Sequence, residues 1–184
     1  MSGVIQATNL QTANIKHTNG TNAITVASDG KVSLPNNLIE YWLLNKGDDN
    51  ALANDTLYTP WALDTRTGIG SRNTGMSHSS GIFTFPRAGL YRVSLNTRHY
   101  GATAYIGGSI HLSTDSGANY TDLARAEYGA TAHSAHYHFS YLSMIFNIAN
   151  ASTYRMKFVH YTATSVNVRG NNNVNATNVL FEEI

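Results

Sequence analysis

Residues 135–149, with the sequence AHYHFSYLSMIFNIA, limit the possible folds of this chain more than any other segment. Apolar residues occupy both parities of this predicted strand: Leu142, Met144, Phe146 and Ile148 on one, and Tyr137, Phe139, Tyr141 and Ile145 on the other. A strand with one face in water alternates apolar and polar residues, so we expect both faces of this strand to be covered. We favour another subunit over the second face, which makes the second set of side chains a predicted subunit interface. A central strand capped by its own long loops is the alternative.

From Leu38 onward the chain has the pattern of a compact all-β domain. Helical periodicity is almost absent, and turn-forming residues recur roughly every eight to fifteen residues. The predicted strands lie around residues 39–45, 58–65, 81–86, 89–99, 104–114, 121–128, 136–149, 153–164 and 174–183. Between two of them, residues 115–119 predict a hairpin turn in which Gly117 takes a positive φ. About nine short strands without helices indicate a sandwich, and among sandwiches we expect a jelly roll.

Residues 1–37 differ in character from the rest of the chain. They contain short apolar segments separated by turn signals such as Asn19-Gly20 and Asp29-Gly30. Each segment offers too few apolar side chains to form a core within one chain. Such a segment becomes stable when copies pack together, as in a fibre shaft, or when it orders against a partner surface. We therefore divide the chain into an N-terminal attachment arm or short fibre-like segment, residues 1–37, and a head, residues 38–184.

Composition and charge exclude several classes of function. Only 12% of the 184 residues are charged and the formal net charge is +1, so we expect no nucleic-acid partner. The chain contains no cysteine, which excludes disulfides and thiolate metal sites. No apolar run approaches the ~20 residues that cross a bilayer, so we expect no membrane insertion. The N-terminal sequence MSGVIQATNLQTANIK lacks the pattern of a secretory signal, and we expect no export by that route.

The pair His136 and His138 is the sharpest candidate for chemistry. On a strand both side chains share a face, about 6–7 Å apart. Two imidazoles hold a metal weakly, but three copies around a threefold axis would bring six together, enough for octahedral coordination of a transition metal. The alternative is that both histidines make ordinary hydrogen bonds near an interface or a loop end. No other cofactor is expected.

Known catalytic motifs are missing from the sequence. It contains no nucleophile elbow, zinc-protease, Walker or dinucleotide-binding motif. Cleavage of glycans would require two carboxylates about 5–9 Å apart. Glu182 and Glu183 are adjacent on a predicted strand and so point to opposite faces, and Asp48 and Asp49 lie in a loop rich in Gly and Asn. We therefore expect a protein that is not an enzyme.

The sequence GIFTFPRAGLYRVSLNTRH, residues 81–99, resembles the strand–corner–strand signature of C1q/TNF-like domains. The signature residues are Phe83, Phe85, Pro86, Gly89 and Tyr91. EYWLLNKGDDN resembles the opening strand of such domains, GGSIHLSTDSGANYTDLARAEY the central hairpin, and NATNVLFEEI the last strand. The combination of EYW, TGMSHSSGIFTFP and the N-terminal NGTNAITVASDGKVSLP is similar to C1q-like structural proteins of tailed phages, including those of cyanobacterial and marine hosts. The resemblance covers about residues 10–184.

This resemblance implies a homotrimer of ten-stranded jelly rolls around a threefold axis, in agreement with the interface predicted above. It also implies that Pro86 ends one strand and that Gly89 allows the backbone to turn before Tyr91. Tyr91, Val93 and Leu95 then share the face that enters the core. No position matches the calcium-binding acids of vertebrate C1q-like domains, so we carry over no calcium site.

From these features we expect a non-enzymatic, homotrimeric structural protein of a phage virion. Its arm would attach it to capsid or tail proteins, as a capsid decoration or cement protein or as a short fibre. The alternative is a tail fibre or spike knob for host attachment. Such a knob would bind a receptor or glycan through loops containing Tyr, His and Asn at residues 47–56, 96–105 and 127–139. A further alternative is a soluble C1q-like binding module unrelated to phage.

Overall fold

The structure is a computed structural model that forms two compact units, Met1–Asn37 and Leu38–Ile184. The residues it describes are 14–16, 22–26, 32–33, 37–46, 50–68, 71, 75–130, 136–171 and 176–184. In the first unit, β1 (Asn14–Lys16), β2 (Asn22–Val26) and β3 (Val32–Ser33) form an antiparallel sheet with β2 in the middle. These strands lie where the sequence of the arm predicts short strands.

The described part of the second unit consists of strands and the turns between them, which confirms the predicted all-β class. The strands are β4 (Ile39–Leu44), β5 (Asn50–Leu52), β6 (Trp61–Leu63), β7 (Ser77–Ser79), β8 (Ile82–Thr84), β9 (Gly89–Tyr100), β10 (Thr103–Ser113), β11 (Thr121–Ala130), β12 (Tyr137–Ile148), β13 (Arg155–Thr162), β14 (Val166–Val168) and β15 (Asn178–Glu183). A search of the described residues finds no helix that is long and apolar enough to cross a membrane.

The strands form two antiparallel sheets that enclose one core. The strand order in sheet I is β6-β4-β15-β9-β12. β14 also pairs with β9, at residues 99–100 near the end of that strand, and β5 pairs with β14. Sheet II has the order β11-β10-β13-β8-β7. As a result β11 and β12 are edge strands that lie on the same side of the sandwich, where they contact each other.

Strand β9 is the centre of sheet I. It pairs with β12 over residues 89–100, and its other edge pairs with β15 over residues 91–96 and with β14 at residues 99–100. Because successive side chains of a strand alternate between its faces, Tyr91 and Val93 enter the core, as expected.

Aromatic rings fill the middle of the core. Phe83, Phe158 and Phe181 are fully buried, and their ring centroids lie between 5.0 and 6.0 Å apart. Phe85 and Tyr91, two further residues of the signature, are also buried, with centroids 4.9 Å apart. Each such pair adds about 0.5–1.5 kcal/mol to the stabilisation from apolar burial, so the signature residues act by packing.

The corner between β8 and β9 differs in one respect from the expectation. Pro86 does follow the end of β8, but Gly89 is not among the described glycines with positive φ, and a side chain there would meet atoms no closer than 3.6 Å. The backbone therefore does not require glycine at this position. Instead, the Tyr91 hydroxyl donates to the Arg87 carbonyl over 3.1 Å, and Arg87 forms an ion pair with Glu183.

Two of the predicted loops are mostly strand. β9 continues to Tyr100 and β10 starts at Thr103, so only Gly101, with φ of 133°, and Ala102 connect them. The reason is that hydrogen bonding of β9 to β12 and β14 continues to Tyr100 and outweighs the turn tendency of the local sequence. Much of the segment 127–139 likewise belongs to β11 and β12, while residues 131–135 and 47–49 are outside the described part of the chain.

Three short strands, β5, β7 and β14, were not among the predicted ones. Each has only three residues, too few for an alternating pattern to be recognised in the sequence. The hairpin turn at residues 115–119 is confirmed, with Gly117 at φ of 93°.

Close pairing of β10 with β11 depends on Gly107. A Cβ at this position would lie 1.9 Å from the Ala126 carbonyl oxygen, so Gly107→Ala forces the two strands apart. We expect a loss of about 3 kcal/mol or more in the free energy of unfolding, measured by urea denaturation. Gly129→Ala on β11 is the matched control, because its nearest neighbour would be 3.7 Å away, and it should cost less than about 1 kcal/mol. Equal effects of the two substitutions would contradict this pairing.

Candidate functional site: an exposed aromatic sheet face

The outer face of sheet I carries a continuous group of aromatic and apolar side chains. We call it the aromatic face and define it by the outward residues of β4, β15, β9 and β12: Tyr41, Leu180, Ser94, Asn96, Arg98, Tyr100, Tyr137, Phe139, Tyr141 and Ile145. These positions follow from the strand register, because residues directly opposite each other in a sheet point to the same side.

Four large side chains of β12 are exposed on this face. The exposed fraction is 65% for Tyr141, 58% for Phe139, 52% for Ile145 and 46% for Tyr137. Single exposed apolar residues are common on protein surfaces, but a contiguous group on one strand marks a surface that binds something. In the described part of the chain no loop covers these side chains. The connection that precedes β12, residues 131–135, lies outside that part.

The middle of the aromatic face contains an open depression of about 390 Å³. It is lined by Tyr41, Ser94, Asn96, Tyr141, Asn178 and Leu180. The Tyr141 hydroxyl donates to Ser94 Oγ over 3.4 Å. Hydrogen bonding with Ser94, and then with Ser143, lowers the pKa of Tyr141 below its ordinary value. The depression therefore combines apolar walls with a few amide and hydroxyl groups, as binding surfaces commonly do.

A cation lies among the rings at one end of the face. The Arg98 guanidinium carbon is 4.2 Å from the ring centroid of Tyr137 and 5.5 Å from that of Phe139. The Tyr100 ring lies beside that of Tyr137, with centroids 5.1 Å apart and the two planes tilted by 51°. In the described part of the chain, Arg98 Nε is buried without a hydrogen-bond partner. Ring contact holds this charge in place.

A second exposed apolar surface lies where the edges of the two sheets meet. Leu123 and Tyr128 of β11 are 42% and 56% exposed, and Met144 of β12 is 43% exposed. The Tyr128 ring stacks on His138 at a centroid distance of 5.6 Å. We call these residues the sandwich edge; it adjoins the aromatic face along β12.

The structure brings the four predicted interface residues together on the aromatic face, but it places the histidine pair elsewhere. His136 is exposed just before β12, and His138 points to the opposite side of β12 from Tyr137 and Phe139. The predicted metal site and the predicted interface thus use different faces of one strand. Within the described residues no group of three His, Cys, Asp or Glu could hold a metal. The site shared by three copies of the chain stays a prediction.

Six members of the aromatic face were not among the predicted interface residues: Tyr41, Leu180, Ser94, Asn96, Arg98 and Tyr100. The sequence carried a signal for Tyr41 and Leu180. Their segments, EYWLL in β4 and NVLF in β15, have apolar residues on both faces of the strand, as β12 does. Arg98 carried no such signal, since its role depends on the register between β9 and β12.

The carboxylates considered for catalysis diverge. Glu182 pairs with Arg92 over 2.7 Å, and Glu183 pairs with Arg87, so the two do not face a common substrate. Asp48 and Asp49 lie outside the described residues.

Comparison with known proteins identifies the fold. No protein-family model matches this chain, and no curated protein matches it. Among solved structures, Eiger TNF from S. frugiperda is similar with a TM-score of 0.66 and 10% identity, over 81% of this chain and 93% of that one. Murine APRIL at pH 8.5 is similar with a TM-score of 0.58 and 12% identity, over 80% of this chain and 99% of that one. The structure of murine APRIL at pH 5.0 is similar with a TM-score of 0.59 and 11% identity, over 80% of this chain and 99% of that one. The chain therefore has the C1q/TNF-like jelly-roll fold.

Proposed function

We propose that this protein is a non-enzymatic structural or binding module that works as a homotrimer, with the aromatic face of each subunit covered by the next. The exposure of four large side chains on β12 carries this proposal. Covering them removes a contiguous apolar surface from water, at about 25 cal/mol per Å² of apolar area.

The two exposed apolar surfaces favour a ring over a face-to-face dimer. A dimer in which two aromatic faces meet would leave Leu123, Tyr128 and Met144 of the sandwich edge in water. Contact of one copy's edge with the next copy's face covers both surfaces. Such a contact joins two different surfaces, so it repeats from copy to copy until the ring closes. The C1q/TNF-like resemblance implies that three copies close it.

We further propose that the trimer is a structural component of a phage virion, where it decorates the capsid or forms a short fibre. The support is the resemblance of the sequence to C1q-like proteins of tailed phages. Residues 1–37 are the proposed attachment arm, and their described strands are too short and too few to form a core of their own.

A receptor- or glycan-binding knob is the second candidate, and a depression of about 500 Å³ favours it. It lies on sheet II, and its lining includes Ser77, Ser79, Thr84, Tyr120 and Arg155. Hydroxyls beside an aromatic ring suit a sugar, and β7 is the edge strand farthest from β11 in sheet II, so it would stay accessible in the ring. A soluble module unrelated to phage would also use this site.

Charge on the aromatic face should break the trimer. Phe139→Glu places a carboxylate in a surface that the next copy covers, and we expect the dissociation constant to rise at least about 100-fold. Sedimentation over a range of concentrations measures this. Tyr105→Glu, on the outer face of sheet II, is the control and should sediment like the unaltered protein. The proposal would be overturned if the Phe139→Glu protein sedimented as the same assembly as the unaltered protein, or if the unaltered protein were monomeric.

Removal of residues 1–37 distinguishes a virion protein that is attached through its arm from a receptor- or glycan-binding module. We expect the full chain to co-sediment with emptied phage capsids or tails and the shortened chain to remain in the supernatant as a trimer. Co-sedimentation of both forms would argue against attachment through the arm. If neither form binds particles but immobilised glycans retain both, the binding module is favoured.

The metal prediction is tested by elemental analysis of the purified trimer. Six imidazoles from three copies of His136 and His138 would give about one transition-metal ion per three chains. His138→Asn should abolish this content, and His111→Asn, at a histidine of sheet II, should leave it unchanged. Metal at no more than trace level in the unaltered trimer would contradict the predicted metal site.

A further inference from the structure

The depression on sheet II has a row of hydroxyl groups on one side and a guanidinium on the other. In the strand register Ser77 of β7 lies opposite Thr84 of β8, and Thr84 lies opposite Arg155 of β13. The next residue, Met156, is fully buried, so Arg155 points to the outer side of the sheet. The hydroxyls of Ser77 and Thr84 bond to each other. One hydroxyl proton and several lone pairs of this pair remain available to a ligand.

The Arg155 guanidinium is held by backbone carbonyls. Its Nη1 donates to the carbonyl oxygens of Tyr154, over 2.7 Å, and Ala151, over 3.3 Å. Its Nη2 donates to the carbonyl oxygen of Ser152 over 3.0 Å. All three carbonyls belong to the connection between β12 and β13. This connection fixes the position of the guanidinium but leaves its positive charge without a counter-charge.

Part of the guanidinium is free to bind a ligand. An arginine side chain has five N–H groups. In the described part of the chain at least two of the five on Arg155, including the one on Nε, have no acceptor. The ion pairs among the described residues all belong to other arginines. Because Arg155 lines the depression, its remaining N–H groups can bond to an acceptor that enters there.

A second cation and an aromatic ring lie beside Arg155. Lys157 is two residues further along β13 and therefore on the same side of the sheet. Its Nζ is 4.2 Å from the ring centroid of Tyr120, and it forms no ion pair within the described residues. Tyr120 lines the depression, and in the described part of the chain its hydroxyl is buried without a hydrogen-bond partner. The wall thus combines two positive charges with a ring and an unmet hydrogen bond.

One carboxylate lies close enough to affect this cluster. The charges of Arg155 and Asp115 both act on the Tyr120 hydroxyl. The Asp115 carboxylate is occupied by bonds from the Ser113 hydroxyl and from the backbone and side chain of Asn119, over 2.7 to 2.9 Å. These bonds lower the pKa of Asp115 to about 2, so it is ionised at neutral pH. Two cations against one carboxylate leave the cluster positive.

The arrangement fits one class of ligand. A planar carboxylate can accept two hydrogen bonds from neighbouring N–H groups of one arginine. Sugar hydroxyls bond well to serine and threonine hydroxyls, and a sugar ring packs against tyrosine. The volume of about 500 Å³ is within the range of small-ligand sites, roughly 300–1,000 Å³. A sugar that carries a carboxylate offers all of these groups on a single ring.

We propose that the sheet II depression binds a carboxylated sugar, a uronic or sialic acid unit of a glycan, whose carboxylate bonds to Arg155 and whose hydroxyls bond to Ser77 and Thr84. This inference rests on the second candidate function, the glycan-binding knob, and names its sugar class. All of the contributing side chains belong to one chain, so the site does not depend on the trimer.

The first test compares glycans that differ only in the carboxyl group. The probes are an oligogalacturonate, an oligomannuronate and a sialylated lactose, each with a counterpart whose carboxyl groups are reduced to alcohols. We expect calorimetry to show binding of at least one carboxylated probe, at least about tenfold tighter than its reduced counterpart, because the charge-assisted bonds to Arg155 are lost. Equal affinity within every pair, or no binding of any carboxylated probe, would overturn the proposal.

Two variants test the assigned side chains with the probe that binds. Arg155→Lys keeps the positive charge but loses the paired N–H groups, and we expect at least about tenfold weaker binding. Ser79→Trp, at an exposed position that lines the depression, should abolish binding by filling it and leaves the carbonyl bonds of Arg155 intact. Arg66→Lys is the matched control, because Arg66 pairs with Asp64 and lies outside the depression, and its affinity should be unchanged. Unchanged affinity in either test variant would contradict the site.

Nitrogen-15 spectra of the unaltered protein provide a test that does not depend on a variant folding. Addition of the carboxylated probe should shift the Nε–H signal of Arg155 and leave that of Arg66 in place, and an unshifted Arg155 signal would refute the contact. If reduced and carboxylated glycans bind equally, the glycan-binding function stands and the carboxylate site fails. Tighter binding of a sulfated galactan than of any carboxylated probe would overturn the proposed sugar class. A protein that sediments as a monomer and still binds the probe retains the site and refutes the trimer.

Discussion

The pairing of β9 with strands on both of its edges is the interaction on which the rest of the structure depends. Twelve consecutive residues of β9 pair with β12, and the opposite edge pairs with β15 and then β14. This register determines which side chains of four strands point inward and which point outward. A shift by one residue would exchange the two faces, placing Arg98 in the core and His99 in the aromatic face.

The same strands therefore carry two different kinds of residue on their two sides. The outward side chains of β12 form an exposed surface suited to contact with another copy of the chain. The inward side chains near the same end include buried imidazoles that are held by one tyrosine hydroxyl.

The all-β class, the long strands and the jelly roll could be predicted from sequence. Both signals for them, the alternation of apolar and polar residues over eight or more positions and the residues that favour turns, come from neighbouring positions in the chain. The hairpin at Gly117 and the doubly apolar strand β12 are examples. The three-residue strands could not be recognised, and neither could the extension of β9 to Tyr100, which depends on partners distant in the sequence. For the same reason the contact of Arg98 with its rings, and the meeting of His99 with His160 across the core, needed the three-dimensional register.

The claim that other copies cover the aromatic face is tested most directly by hydroxyl-radical footprinting of the unaltered full chain at a series of concentrations. The account predicts that Tyr137, Phe139 and Tyr141 are protected at concentrations where three chains sediment together and become reactive on dilution, while Tyr105 on sheet II reacts equally throughout. Reactivity of Phe139 and Tyr141 that stays high at every concentration, as their exposure in the single chain would give, would contradict it.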